Sequence, residues 1–146
     1  MTDRQDVVAE ARRWIGTPYL HQASVLGAGT DCLGLLRGVW RALFRAEPQY
    51  VPPYTLDWSE PSGREEMLGA AQRWLVEKPL TQVSRGDVIV FRMREGFVAK
   101  HVGIVAETRD LPSFIHAYTG HGVVESALSS PWARRIAGRF EFPKGA

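Results

Sequence analysis

The single cysteine of this 146-residue chain, Cys32, follows Asp31 and begins a run of apolar residues at helical spacing. We expect this run to be a helix with Asp31 at its start and the thiol in its first turn. Unpaired N–H groups at a helix start favour a thiolate, and they can stabilise the oxyanion that forms when sulfur attacks a carbonyl carbon. Because there is no second cysteine, an intrachain disulfide is excluded, and Cys32 is either buried packing or a nucleophile.

Two histidines could supply the base that a cysteine nucleophile requires. His101 precedes the β-branched run of residues 102–105, and His116 lies within the next predicted strand, residues 113–118. On adjacent antiparallel strands two histidines can lie side by side, and one imidazole then fixes the tautomer of the other. Spacing by itself leaves the question open, because lone cysteines and strand histidines also occur as ordinary structural residues.

Hydrophobic periodicity predicts the elements that would position these residues. Helices are predicted over residues 2–15, 31–44 and 62–75, and Ser62 with Glu65 forms a capping-box start for the third. Short β-branched or aromatic runs predict strands at residues 88–91, 102–105, 113–118, 123–126 and 139–142. Helices followed by a meander of strands predict an α+β fold with an antiparallel sheet, in one domain of residues 1–146. The proline-rich residues 47–62 are expected to form an extended surface loop.

Composition and charge exclude several classes of function. The formal net charge of +2 is spread along the chain and does not favour a nucleic-acid surface. No apolar stretch reaches the roughly 18 residues of a membrane helix, and the N-terminus lacks the apolar region of a signal peptide. We therefore expect a protein that is made in the cytoplasm without a classical export signal and that binds neither nucleic acid nor membrane. A substrate outside that compartment would require a carrier.

Five segments resemble, in kind and order, the motifs of the NlpC-type cell-wall peptidase family, which belongs to the papain-like cysteine peptidase superfamily. They are GTPY at residues 16–19, TDCLG at 30–34, RGDVIVF at 85–91, HVGIV at 101–105 and FIHA at 114–117. Each segment is a weak signal alone, but five in this order are specific. The resemblance therefore favours a nucleophile over buried packing for Cys32.

The resemblance implies a compact papain-like core and hydrolysis of peptide-stem bonds in peptidoglycan, typically between D-glutamate, through its γ-carboxyl, and diaminopimelate. It implies that Cys32 is the nucleophile, His101 its base and His116 the polar residue that orients His101. Tyr19 matches the tyrosine whose hydroxyl lies by the nucleophile and assists the oxyanion or the substrate. Asp31 matches the aspartate before the cysteine, either as a substrate contact or as a helix N-cap. No cofactor and no metal are implied.

Leu33 departs from the family pattern, because a serine usually follows the nucleophile. A hydroxyl sometimes used to hold the substrate is therefore missing, which leaves the stem-peptide specificity open, especially for recognition of a free N-terminal amine. Gly86 and Asp87 match a turn into the sheet and are expected to be structural. His21 and His121 are expected to be ordinary surface residues near the cleft. Three tryptophans at helical spacing are expected in the core: Trp14, Trp40 and Trp74.

The smallest family members, without wall-binding domains or signal peptides, resemble this chain and are often encoded with tail genes of phages and gene-transfer agents. A tail hub or tip protein would then be the partner that carries the peptidase to the wall. Three alternatives stay open. The same site could cleave the amide between sugar and peptide or transfer an acyl group, or the chain could be a docking module with an idle site. A zinc site could use Cys32, His101, His116 and His121, although the sequence has no close ligand pair.

Overall fold

The computed structural model describes residues 4–48 and 65–143. In chain order, its elements are α1 (Arg4–Arg13), β1 (Ser24–Val25), β2 (Gly29–Thr30), α2 (Cys32–Phe44), α3 (Glu66–Trp74), β3 (Val76–Lys78), β4 (Val88–Phe91), β5 (His101–Glu107), β6 (Ser113–Tyr118), β7 (Gly122–Ala127), α4 (Ser130–Ala133) and β8 (Ile136–Glu141). Helices packed on an antiparallel sheet confirm the predicted α+β class. None of the helices within these two ranges is long and apolar enough to cross a membrane.

The main sheet has six antiparallel strands in the order β3-β8-β4-β5-β6-β7. Strands β4 to β7 form the predicted meander, in which each strand pairs with the next. The last strand departs from it, because β8 returns between β3 and β4 instead of extending the sheet beyond β7. All residues of β4 are buried. An open edge there would leave buried backbone groups without partners, and β8 supplies those partners.

Alternation along β4 divides its side chains between two apolar clusters. Val88 and Val90 face the larger cluster, which α1 and α2 form with the sheet and which includes Leu35 and Cys32 of α2. Ile89 and Phe91 face a smaller cluster on the opposite side of the sheet, which Trp132 of α4 covers. The cysteine therefore lies on the side of the sheet that α1 and α2 cover.

Several element boundaries differ from those predicted. Helix α1 ends at Arg13, so that Trp14 is buried just beyond the helix, whereas Ile15 is 44% exposed. Trp74 ends α3 at the surface, 36% exposed, so the prediction that it packs in the core is wrong. Trp40 is partly buried against the core. Four short elements of two to four residues, β1, β2, β3 and α4, have no counterpart in the prediction, because such lengths show no periodicity.

The third helix does not begin with the predicted capping box. Ser62 lies outside the described residues, and Glu65 is an N-cap that makes no side-chain hydrogen bond to the helix. Its carboxylate instead accepts a hydrogen bond from the Ala99 N–H at 2.9 Å and pairs with Arg92. Glu65 therefore ties α3 to the loop that leads into β5. The rest of the predicted proline-rich loop, residues 49–62, also lies outside the described residues.

Candidate active site

Asp31 fixes the start of the helix that carries the cysteine. Its Oδ1 accepts a hydrogen bond from the Gly34 N–H at 2.7 Å, which makes Asp31 the N-cap of α2, and its Oδ2 accepts one from the Gln22 N–H at 2.8 Å. Asp31 is only 2% exposed. The carboxylate therefore joins the helix start to the turn before β1 and holds the next residue, Cys32, in position.

The first turn of α2 packs closely on the β1–β2 hairpin because residue 34 is a glycine. A Cβ atom on Gly34 would overlap the carbonyl oxygen of Ala23 and would lie 2.5 Å from the Thr30 Oγ1. The Ser24 hydroxyl donates a hydrogen bond to the carbonyl oxygen of Gly34 at 2.6 Å. The glycine of the TDCLG segment is thus required by a close backbone approach.

The thiol of Cys32 lies against the start of β5. Its Sγ is 3.9 Å from the carbonyl oxygen of Lys100, and the backbone N–H groups of Val102 and Leu33 act to lower its pKa. The sulfur therefore lies against the backbone at the point where His101 begins β5.

A chain of hydrogen bonds runs from His101 through His116 to Ser126. Nε2 of His101 lies 2.8 Å from Nδ1 of His116, and Nε2 of His116 lies 2.9 Å from the Oγ of Ser126. Both histidines are buried. Both nitrogens of His116 are therefore engaged in this chain, whereas Nδ1 of His101 lies outside it.

Aromatic rings enclose the two imidazoles. The Trp132 ring lies 5.6 Å from that of His101 and 5.1 Å from that of His116, measured between centroids. Phe91 lies 5.6 Å from His101, and Phe114 lies 4.2 Å from His116. Packing of this kind holds each imidazole in one orientation and keeps water away from it.

Gly103, two residues after His101 on β5, makes room for this arrangement. A Cβ atom on Gly103 would lie 2.8 Å from the Cδ2 of Phe114 and 3.4 Å from the Cβ of His116. A side chain at this position would therefore displace the rings that surround the histidine pair. In the HVG segment, His101 supplies the imidazole and Gly103 leaves room for Phe114 and His116.

Burial opposes charge at all three groups. It raises the pKa of the Cys32 thiol to about 12, and the charge of Asp31 adds to the increase while nearby backbone N–H groups reduce it. Burial lowers the pKa of His101 to about 3, with a contribution from His116, and lowers the pKa of His116 to about 4, with a contribution from His121. At neutral pH the resting site therefore holds a thiol and two neutral imidazoles. Desolvation of the sulfur therefore opposes the thiolate that the helix-start N–H groups favour.

Tyr19 lies on the loop between α1 and β1 and packs against the larger cluster, which includes Cys32. Two backbone hydrogen bonds of 3.0 and 2.9 Å tie residues 16–17 to Val123 at the start of β7. Burial raises the pKa of the Tyr19 hydroxyl and the charge of Cys32 raises it further, whereas a hydrogen bond with Thr119 lowers it. The Tyr19 phenol and the sulfur therefore interact electrostatically.

The two remaining histidines lie at the rim of the site. Nδ1 of His21 is 3.8 Å from the Oδ2 of Asp31. His121 is exposed, and its ring stacks on that of Tyr118 at 5.2 Å. Across residues 4–48 and 65–143, no group of three or more His, Cys, Asp or Glu side chains is placed to hold a metal ion. The histidine pair also directs its facing nitrogens at each other rather than toward a shared zinc.

The structure brings together the five site residues predicted from the sequence: Cys32, His101, His116, Tyr19 and Asp31. It adds two that sequence reasoning missed, Ser126 and Trp132. Val124 pairs with His116 across β6 and β7, and strand alternation then places Ser126 on the face of His116; the sequence shows the alternation but not this register. Trp132 lies on the four-residue helix α4, whose position no sequence pattern indicates.

Comparison with known proteins assigns this geometry to a family. The NlpC/P60 family model matches residues 16–140. Gamma-DL-glutamyl hydrolase of Bacillus subtilis (strain 168) is 31% identical over 135 residues, which is 90% of this chain but 28% of that relative. The chain therefore spans less than a third of this relative's length.

Solved structures share the fold at lower sequence identity. The NlpC/p60 domain of the peptidoglycan hydrolase SagA has a TM-score of 0.68 at 20% identity, and the match covers 97% of this chain and 100% of that domain. An NlpC/P60 family protein from Bacillus cereus ATCC 10987 has a TM-score of 0.65 at 18% identity, with 97% of this chain and 40% of that protein covered. These two similarities extend over the whole described core.

Proposed function

Since the chain belongs to the NlpC/P60 family of cell-wall cysteine peptidases, we propose that it hydrolyses an amide bond in the peptide stem of bacterial peptidoglycan. In this proposal Cys32 is the nucleophile, His101 is the general base and His116 orients His101. The observation that carries it is the 2.8 Å contact between Nε2 of His101 and Nδ1 of His116. This contact leaves Nδ1 of His101 outside the histidine pair, and in the proposal this nitrogen exchanges a proton with the Cys32 thiol.

The neutral resting pair sets the order of the proposed reaction. Nδ1 of His101 accepts the thiol proton as the sulfur of Cys32 attacks the scissile carbonyl carbon, so neither group has to ionise alone in the buried site. The C–S bond forms while the π electrons move to oxygen, and this oxyanion is stabilised by N–H groups at the start of α2 and by the Tyr19 hydroxyl. The C–N bond then breaks, and the imidazolium gives its proton to the leaving amine. Water activated by His101 hydrolyses the thioester and regenerates the thiol.

The bond that we propose is the one between D-glutamate, through its γ-carboxyl, and diaminopimelate. The name of the Bacillus subtilis relative, gamma-DL-glutamyl hydrolase, supports cleavage at a γ-glutamyl bond. Because Leu33 has no hydroxyl, residue 33 would not hydrogen-bond a free N-terminal amine of the stem peptide.

Tyr19 and Asp31 have different parts in this proposal. The Tyr19 phenol lies near the sulfur and is assigned to the oxyanion. Both carboxylate oxygens of Asp31 accept backbone N–H groups, which supports the N-cap role rather than contact with the substrate. Asp31 therefore acts by placing Cys32 and the helix-start N–H groups.

For delivery we propose a phage-like or gene-transfer-agent tail, in which a hub or tip protein carries the peptidase to the wall. The support is the sequence resemblance to small, tail-encoded members of the family. If the wild-type protein and a Cys32→Ala variant leave purified walls equally intact while both assemble onto a tail, the chain is a docking module and the enzyme proposal fails.

The reaction is tested by incubating purified peptidoglycan with the protein and identifying the new amino termini by mass spectrometry. We expect fragments that end in D-glutamate and fragments that begin with the amino group of diaminopimelate. Cys32→Ala and His101→Ala should abolish both, and circular dichroism would verify that these variants are folded. Release of intact stem peptides from the glycan would instead identify an amidase, and acylated products would identify a transferase.

A further inference from the structure

We propose that Ser126 is a positioning residue that accepts a hydrogen bond from the Nε2–H of His116 and thereby stabilises the tautomers of His116 and His101 that the proposed reaction needs. The observation is the 2.9 Å contact between the Oγ of Ser126 and Nε2 of His116, at the far end of the hydrogen-bond chain from the thiol. The kinetic consequence rests on the proposed function. The tautomer itself can be measured without a substrate.

The required tautomers follow from the proton that His101 must accept. To accept it at Nδ1, neutral His101 has to carry its own hydrogen on Nε2. That N–H faces Nδ1 of His116 at 2.8 Å, so this nitrogen has to be the acceptor. His116 must then carry its hydrogen on Nε2, and the Ser126 oxygen is placed to accept the hydrogen bond. The opposite tautomer of His116 would set two N–H groups against each other.

A hydroxyl suits this position better than a carboxylate. His116 is 0% exposed, so an N–H of its ring without an acceptor would be destabilising. A carboxylate would satisfy the N–H but would also favour the imidazolium form of His116, and that positive charge would oppose proton uptake by His101. The Ser126 hydroxyl accepts the N–H without adding charge, which leaves His116 neutral.

Strand register holds Ser126 against the imidazole. In the β6–β7 pairing, Ser126 is opposite Phe114 and Val124 is opposite His116, so Ser126 and His116 are diagonal neighbours on one face of the sheet. Phe114 and Trp132 pack on the imidazole of His116. Packing therefore holds the ring, and its two nitrogens contact His101 and Ser126.

Ser126→Val and Ser126→Thr form a matched pair for the test, because the two side chains have nearly the same shape and only threonine has a hydroxyl. Ser113→Ala is the control, since it removes a serine hydroxyl of the same strand pair that contacts Glu125 instead. The first measurement is ¹⁵N NMR of the imidazoles at pH 7 without substrate. We expect the Nε2–H tautomer of His116 in the wild type, Ser126→Thr and Ser113→Ala, and a mixture or the Nδ1–H tautomer in Ser126→Val.

The second measurement is peptidoglycan cleavage by the same four proteins. Ser126→Val should lower kcat by about 10- to 100-fold with little change in KM, by analogy with the range for hydrogen-bond partners of metal-bound histidines, while Ser126→Thr and Ser113→Ala stay near wild type. An Nδ1–H tautomer in the wild type, a Ser126→Val variant with the wild-type tautomer, or one with unchanged kcat would overturn the inference. If the tautomers behave as expected and even the wild type cleaves nothing, the positioning role is supported and the proposed function fails.

Discussion

Lowering the pH from 7 to 5 is expected to destabilise the fold through its two buried histidines. In the folded chain the pKa of His101 is lowered to about 3 and that of His116 to about 4, so both imidazoles stay neutral at pH 5. In the unfolded chain each imidazole has a pKa of about 6.5 and is mostly protonated at that pH. The unfolded state then binds more protons, and the free energy of unfolding falls as the pH falls.

The size of the effect follows from the unfolded state. Between pH 7 and 5, protonation of each histidine in the unfolded chain lowers the free energy of unfolding by about 2 kcal/mol. This is about 1.4 pH units of protonation at about 1.36 kcal/mol per unit. Two histidines give about 4 kcal/mol, a large fraction of the roughly 5–15 kcal/mol that stabilises a domain. Because both folded pKa values lie below 5, the loss depends little on how far below they lie.

The measurement is urea unfolding followed by circular dichroism at pH 7 and pH 5, at constant ionic strength. His116→Gln keeps a hydrogen-bonding side chain beside His101 but does not titrate, so its loss should be smaller than that of the wild type by about 2 kcal/mol. The exposed His121→Gln is the control and should behave like the wild type. A wild-type loss below about 1 kcal/mol, or an equal loss in His116→Gln, would refute the assignment of acid sensitivity to the buried pair.

Further predictions concern stability and thiol reactivity. Gly103→Ala should lower the free energy of unfolding by about 1–3 kcal/mol, since its Cβ would lie 2.8 Å from Phe114. Gly69→Ala, inside α3 with no atom within 4 Å of the added Cβ, should raise it by about 0.5–1 kcal/mol, and equal effects would contradict the steric argument. Asp31→Ala should lower the free energy of unfolding by about 2 kcal/mol, because two backbone N–H groups lose their acceptor. An unchanged midpoint of urea unfolding would exclude the N-cap role. Iodoacetamide should alkylate Cys32 more slowly in the folded protein than in the urea-unfolded chain at pH 7, because burial raises the thiol pKa to about 12. A faster reaction of the folded protein would disprove the neutral state of Cys32 and His101.

The longer elements could be predicted from the sequence because their apolar residues recur at the positions that the fold buries. Strand β6, Ser113–Tyr118, has the predicted bounds, and α2 has Cys32 in its first turn as predicted. The place of β8 between β3 and β4 could not be predicted. Pairing between strands far apart in the chain depends on which buried edge needs hydrogen-bond partners, and that is known only once the sheet has formed.

The sequence by itself determined the types and the order of the reactive residues, and their motifs indicated the family. Only the tertiary structure decided that Ser126 continues the histidine chain, that Trp132 encloses it, and that Cys32 rests as a thiol. The effect of a helix start on a cysteine is local, so the sequence shows it. Desolvation depends on every atom that surrounds the sulfur and the imidazoles, and those atoms come from α2, α4 and four strands of the sheet that meet only in the folded chain.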